Sequence, residues 1–293
     1  NAMELASRDV VSRSETTEIE AGRGINGSVL LDLRHLGPER ILTRLPGSRE
    51  LAMTFAGVDP IFDPIPVRPG AHYHMGGVDT DVWGQTELAG VYAAGEVACV
   101  SVHGANRLGG NGVAKSTVFG GVAGGTMAAW VKKEGALRDP DRAALDAAIA
   151  RCEPKPASAH GSLEPLRERL ADLMWDKVGI IRRRAELESA MSELGDIADE
   201  LAKAGIADAD RAFNLSWHDW LNLKSLVATS QVITQAALAR ENSRGAHYRE
   251  DFPEPGPLEG SSYTSLRMAG GGLEIAMKPV AFTRVKPGET LLK

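Results

Sequence analysis

The side chains able to do chemistry crowd around one glycine-rich stretch. From Gly90 to Gly125 the chain reads GVYAAGEVACVSVHGANRLGGNGVAKSTVFGGVAGG. It carries Glu96, His103, Asn106 and Arg107 and then enters an apolar run after Gly109, Gly110, Asn111 and Gly112. Glycines let a backbone touch a ligand with no Cβ in the way. A helix starting near Gly112 offers unpaired N–H groups and partial positive charge to an anion. Arg107 adds a planar fork that fits a carboxylate. The pattern suits a main chain that must lie close to a flat, charged cofactor. Two further candidates precede it. Arg8 stands beside Asp9, where it reads as a solvated arginine. His72 and His74 sit two apart in AHYHM, and as a strand would project them from one face. A metal pair must be weighed there, but acidic or cysteine partners are missing nearby and no metal is expected.

Three motifs, in order, carry a resemblance. PIPVRPGAHYHMGGVDTD (Pro64 to Asp81), HGANRLGGN (His103 to Asn111) and ENSRGAHYREDFP (Glu241 to Pro253) resemble the flavoprotein subunit of succinate dehydrogenase and fumarate reductase. L-aspartate oxidase, a sister in that superfamily, has similar motifs. The likeness runs in register from about residue 4 into the C-terminal helical region. Nothing before residue 90 supplies the G-x-G-x-x-G turn that holds an FAD pyrophosphate. Asn1-Ala2 ahead of Met3 has the look of a cleaved tag. The resemblance thus implies the C-terminal half of a flavoprotein, from an engineered cut or a split gene.

The resemblance assigns roles residue by residue. Arg8, in its E-L-x-x-R-D context, matches a proton shuttle at the substrate double bond. An arginine is a poor acid at its usual pKa, so that role needs a dry, cation-crowded site. His72 and Arg107 match ligands of the substrate carboxylates, and a diacid held out of water demands such paired donors. Glu96 matches a ligand of the FAD ribose region; by itself it reads as a surface glutamate at a strand end. His103 stays open between loop scaffolding and substrate contact. The first turn at Gly112-Val113 faces the reduced flavin's negative N1/C2 edge in the family, a contact worth about a kcal/mol or two. Relatives commonly carry Ser-Leu there, so a hydroxyl contact is lost. Arg244 is a supporting residue near the site, or a salt-bridge partner of Glu241 at a helix end.

Composition narrows the classes. With 293 residues the chain can bury a substantial core and hold more than one domain. A net charge of −6 with no lysine/arginine block gives nucleic-acid binding no electrostatic basis. No apolar run is long enough to span a bilayer, so no direct membrane insertion is expected. Cys99 and Cys152 are too few for a disulfide framework or a zinc site, which fits a reducing cytoplasm.

The elements that must position these residues follow from spacing. Met3 to Asp9 reads as a loop or helix end, Val29 to Leu33 as a buried strand, and Pro38 to Leu45 and Ser48 to Ala56 as short helices. Pro60, Pro64, Pro66 and Pro69 punctuate an extended linker. Ala71 to Met75 and Val91 to Ala94 read as strands. Pro140 to Arg151, Ser162 to Gly179, Arg183 to Lys203 and Ala209 to Arg240 show three- and four-residue apolar spacing and should form a bundle. The last of these starts at Ala207-Asp208 or Asp210. Trp217 and Trp220 should be core or interface anchors. Tyr263 to Met268 and Leu273 to Met277 form a hairpin across three glycines, with Val280 to Val285 as a third strand.

The expected fold is an α+β fragment. Residues 1–60 form the rear part of a capping domain, 61–135 the C-terminal part of an FAD-binding domain, 136–242 a helical bundle and 243–293 a small β domain. The function implied is succinate/fumarate interconversion with FAD and a dicarboxylate substrate, with a partner iron–sulfur subunit, and little or no activity of the fragment alone. Its place is cytoplasmic, or peripheral on the cytoplasmic membrane face through partner subunits. Two other readings stand: an L-aspartate oxidase fragment, and a cofactor-free helical interaction module.

Overall fold

The computed structural model describes residues 6–135, 139–154, 163–206, 208 and 210–289. The tag-like Asn1-Ala2, the lead-in Met3 to Leu5 and the helix starts expected at Ser162, Ala207 and Ala209 lie outside them. The chain divides into two compact units, Asn1–His74 and Met75–Lys293.

In the first unit, helix α1 (Arg8–Glu20) begins where a loop or helix end was expected. No residue of α1 is buried, so its sequence lacks the apolar stripe that would announce it. Strand β1 (Val29–Leu31) is shorter than expected and mostly exposed. Helices α2 (Pro38–Arg44) and α3 (Pro46–Leu51) each start on a proline, whose fixed φ and missing N–H suit a first turn. A π-helical turn, Ala52–Ala56, extends α3. Strand β2 (Ile65–Val67) pairs antiparallel with β1, Val29 opposite Val67. The proline-punctuated stretch is therefore partly a strand, which tolerates Pro66 because a two-stranded sheet is all edge. Arg49 grips Asp59 with two hydrogen bonds of 2.9 and 2.6 Å, tying α3 to the loop beyond the π turn. Ile41, on α2, is fully buried.

The second unit opens with two short parallel strands, β3 (Val78–Asp79) and β4 (Ala98–Cys99). Between them the strand expected at Val91 to Ala94 does not form; only Tyr92 makes a bridge, to Gln85, and Val91 is exposed. A short apolar run flanked by glycines cannot be told from a turn segment by periodicity. Helix α4 (Asn111–Glu134) follows the glycine loop as expected. Helix α5 (Arg142–Cys152) starts at Asp141, whose side chain accepts hydrogen bonds from the Ala143 and Ala144 amides.

Three longer helices build the core: α6 (Glu164–Val178), α7 (Arg184–Lys203) and α8 (Leu215–Ala239). On α7 the buried positions are Leu187, Ala190, Leu194, Ile197 and Leu201. On α8 they are Trp220, Leu223, Val227, Ser230, Thr234 and Ala237. Both series step by three and four residues, the spacing of one helix face. Each fully buried leucine or isoleucine contributes about 2 kcal/mol. Trp220 sits in this core, and Trp217 packs against it while its indole N–H donates to the Cys152 carbonyl at 2.7 Å, docking α5. Helix α8 starts six residues later than expected because Asn214, accepting from the Trp217 amide, caps it.

Strands β5 (Ser262–Ala269) and β6 (Gly272–Pro279) form the expected antiparallel hairpin. The third strand at Val280 to Val285 is not formed; the Val280 amide makes one bond to the Ser261 carbonyl and the chain leaves the sheet. The whole is a mixture of helices with small two-stranded sheets, as an α+β reading requires.

Candidate functional site

The segment from Glu96 to Val113 keeps its candidates on one loop and one helix start, all within the second unit. Glycine at 110 is what lets the loop turn into α4. Its φ of +80° is costly for side-chain-bearing residues, and with no side chain it leaves the helix end uncapped. The first-turn amides of an α-helix have no intrahelical acceptor. Gly112 and Val113 present theirs at a surface where Val113 is 76% exposed.

Arg107 is half-buried and donates one guanidinium bond to the Leu108 carbonyl at 3.1 Å. His103, also half-buried, has its pKa pushed below the ordinary value, first by burial and then by the charges of Lys115 and Arg107. Its imidazole is therefore neutral at pH 7. Lys115, one turn into α4, is only 5% exposed and donates to the Ala98 carbonyl at 2.5 Å, pinning β4 to the helix. Sequence reasoning missed it; the signal was a lysine inside an apolar helical run. Glu96 is exposed just before β4.

A turn far along the chain backs this loop. Ser243 to His247 lies beyond α8, and the Ala246 amide donates to the Ala105 carbonyl at 2.9 Å. Arg244 braces the turn. Its guanidinium donates to the Pro255 and Pro257 carbonyls and to Ser261 Oγ, at 2.7, 2.9 and 2.6 Å. The salt bridge weighed for it with Glu241 is not formed; Glu241 pairs with Arg184 instead. Behind the turn, Arg249 is fully buried, donating to the Ala237, Leu238 and Arg240 carbonyls at the end of α8 and gripping Asp251 with two bonds. Arg182 donates to His247 Nδ1 at 2.9 Å. Burial, with the Arg182 charge next, pushes His247 down to about 4.

The remaining candidates belong to the first unit. Arg8 is the first residue of α1 and is exposed. Asp9 pairs with Arg13 at 3.1 Å, an i,i+4 bridge along α1. Burial alone would raise the Asp9 pKa, but hydrogen bonds from Ser7 and Arg13 bring it below the ordinary value. His72 is exposed on irregular backbone, and His74 is too. The strand expected at Ala71 to Met75 is not formed, so the argument placing both imidazoles on one strand face lapses.

Comparison with known proteins bears on both units. Residues 1–113 match the FAD binding domain family, and residues 167–291 match the fumarate reductase flavoprotein C-term family. The fumarate reductase flavoprotein subunit of Mycobacterium tuberculosis is 39% identical over 305 aligned positions, which cover 98% of this chain and 52% of the relative. The succinate dehydrogenase flavoprotein subunit of Rickettsia bellii is 36% identical, covering 96% of this chain and 50% of the relative. Among solved structures, E. coli quinol fumarate reductase superposes with a TM-score of 0.86 at 31% identity, over 98% of this chain and 50% of its own. Adenylylsulfate reductase from Archaeoglobus fulgidus, at 15% identity and a TM-score of 0.70, shares the fold. Among the described residues no helix is long and apolar enough to cross a membrane. The chain spans about half the length of these relatives. With all three motifs inside the matched segments and the helices and hairpin in the expected order, the chain is similar along nearly its whole length to about half of a succinate dehydrogenase/fumarate reductase flavoprotein subunit.

Proposed function

We propose that this chain supplies the substrate-binding half of a flavoprotein that interconverts succinate and fumarate. The observation that carries the reading is the Glu96–Val113 segment, which puts a cationic fork, a neutral imidazole and an uncapped helix start on one short loop. FAD fits it: the exposed first-turn amides of Gly112 and Val113 offer donors to a polar, electron-rich edge, and no cap side chain competes for them. Glu96, ahead of β4, is the residue we assign to the ribose region.

When bound, FAD supplies the hydride donor and acceptor at N5. The chain's own residues do the rest. Arg107 binds one substrate carboxylate through its fork and His72 binds the other, polarising the double bond of fumarate and fixing its orientation. Arg8 delivers a proton to the second carbon, or removes it in the reverse direction. His103, held neutral, is a hydrogen-bonding partner near Arg107 rather than a second charge. On its own the chain turns over slowly or not at all, and electrons pass to or from an iron–sulfur subunit that also holds the flavoprotein peripherally at a membrane.

The test uses the longer flavoprotein that contains these residues, assayed with fumarate, succinate and aspartate. Fumarate reduction or succinate oxidation is expected. Arg8→Lys should lower turnover by about 10²- to 10⁴-fold with the bound flavin spectrum intact. Unchanged turnover in that variant overturns the proton role. Activity confined to aspartate overturns the substrate reading, and purified protein with no flavin absorbance overturns the cofactor.

A further inference from the structure

The Ser243 to His247 turn lies about 140 residues beyond the Arg107 loop yet touches it main chain to main chain. Gly245 has a φ of +53°, and a Cβ built on it would stand 2.5 Å from the Ala105 carbonyl oxygen and 2.7 Å from its carbon. Neither distance is open to a real side chain, and both offending atoms are backbone. Next to it the Ala246 amide donates to that same Ala105 oxygen at 2.9 Å. Any residue other than glycine at 245 must therefore push the loop or move the turn.

The turn is the stiffer of the two. Arg244 and His247 close it with reciprocal backbone bonds of 2.8 and 3.0 Å. Ser243 Oγ accepts from the Arg249 amide at 2.9 Å and donates to the Phe252 carbonyl at 2.8 Å. The Arg244 guanidinium spans Pro255, Pro257 and Ser261, and the buried Arg249 binds the last carbonyls of α8. Shifting it would break several charge-assisted bonds at once, each stronger than a neutral one. The loop in front, two residues from Arg107, is what gives.

We infer that Gly245 is a positioning residue for the Arg107 loop: it lets the braced turn set the height of Ala105, and so of the guanidinium two residues on. This rests on the reading of Arg107 as a carboxylate ligand, for which tenths of an ångström decide affinity.

The test compares Gly245→Ala with Gly271→Ala in the 293-residue chain. Gly271 has a φ of +85° with nothing within 4 Å of an added Cβ, so it carries the backbone strain without the collision. The expected result is that Gly245→Ala alone moves the backbone NMR resonances of residues 103–107 and returns the His103 titration toward its ordinary value. It should also weaken succinate binding about tenfold or more. Unmoved resonances and an unmoved His103 titration in folded Gly245→Ala overturn the inference. Should that variant not fold, hydrogen exchange in the unmutated chain decides: a slow Ala246 amide supports the clamp, and exchange at the unprotected rate overturns it. If the unmutated chain binds no succinate, the proposed function fails, while the resonances still decide the role of Gly245.

Discussion

The neutral state of His247 makes the stability of the second unit depend on acid in a way that one substitution can isolate. Its Nδ1 accepts from Arg182 and its Nε2 approaches the Arg240 carbonyl at 3.4 Å, an arrangement that requires the proton on Nε2 and none on Nδ1. A second proton would point at a guanidinium with Arg240 and Arg249 close by. Burial first, and then these cations, hold the pKa at about 4 against 6.5 for a free histidine. The proton thus favours the unfolded chain. The contribution is fully present above pH 6.5 and is lost as the pH falls from 6.5 toward 4. At 1.36 kcal/mol per pKa unit the depression corresponds to about 3 kcal/mol. His247→Asn keeps an acceptor for Arg182 and removes the titration. Urea unfolding followed by tryptophan fluorescence at pH 7.5 and pH 4 should show the unmutated chain losing about 3 kcal/mol more than the variant. That is roughly 1 M or more in midpoint. Carboxylates such as Asp251 titrate in both proteins and cancel in the difference. An equal loss in the two would refute a buried neutral imidazole at this position.

Two further outcomes follow from the packing. Leu194→Ala, at a fully buried position of α7, should cost about 2–5 kcal/mol in the same unfolding assay, because the helices around it can close only part of the cavity. Lys115→Met should raise the His103 pKa, read from imidazole NMR shifts against pH, since it removes one of the two cations that depress it. The same variant frees the Ala98 carbonyl, so faster hydrogen exchange in β4 and its flanks should accompany the titration change.

The helices of the second unit were legible because α6, α7 and α8 repeat apolar residues at three- and four-residue spacing over several turns, and the hairpin because Gly270 and Gly271 mark its turn. Helix α1 was not, having no buried face to write into its sequence. The strands expected at Ala71 to Met75 and Val91 to Ala94 failed for the opposite reason. Each is apolar or alternating over too few residues, and the second pairs only across the short Gln85–Tyr92 bridge. The glycine loop and helix α4 announced themselves by residue type. What backs the loop did not, because the link from Ala246 to Ala105 is main chain to main chain and leaves no mark except a glycine at 245.

That link changes what the helical bundle does for the site. Arg249 binds the carbonyls at the end of α8, where unsatisfied acceptors and the negative helix end favour a buried cation. The end of the longest core helix therefore fixes Ser243 and Arg244, these fix Ala246, and Ala246 fixes Ala105 beside Arg107. Each step in the chain is a hydrogen bond to backbone or a buried charge pair, so slack at one step is not absorbed at the next. Arg107 donates from its guanidinium to the adjoining Leu108 carbonyl. Its main chain is set from behind, two residues on from Ala105. A bundle with no ligand chemistry of its own can then govern how well an anion is held more than a hundred residues earlier in the sequence.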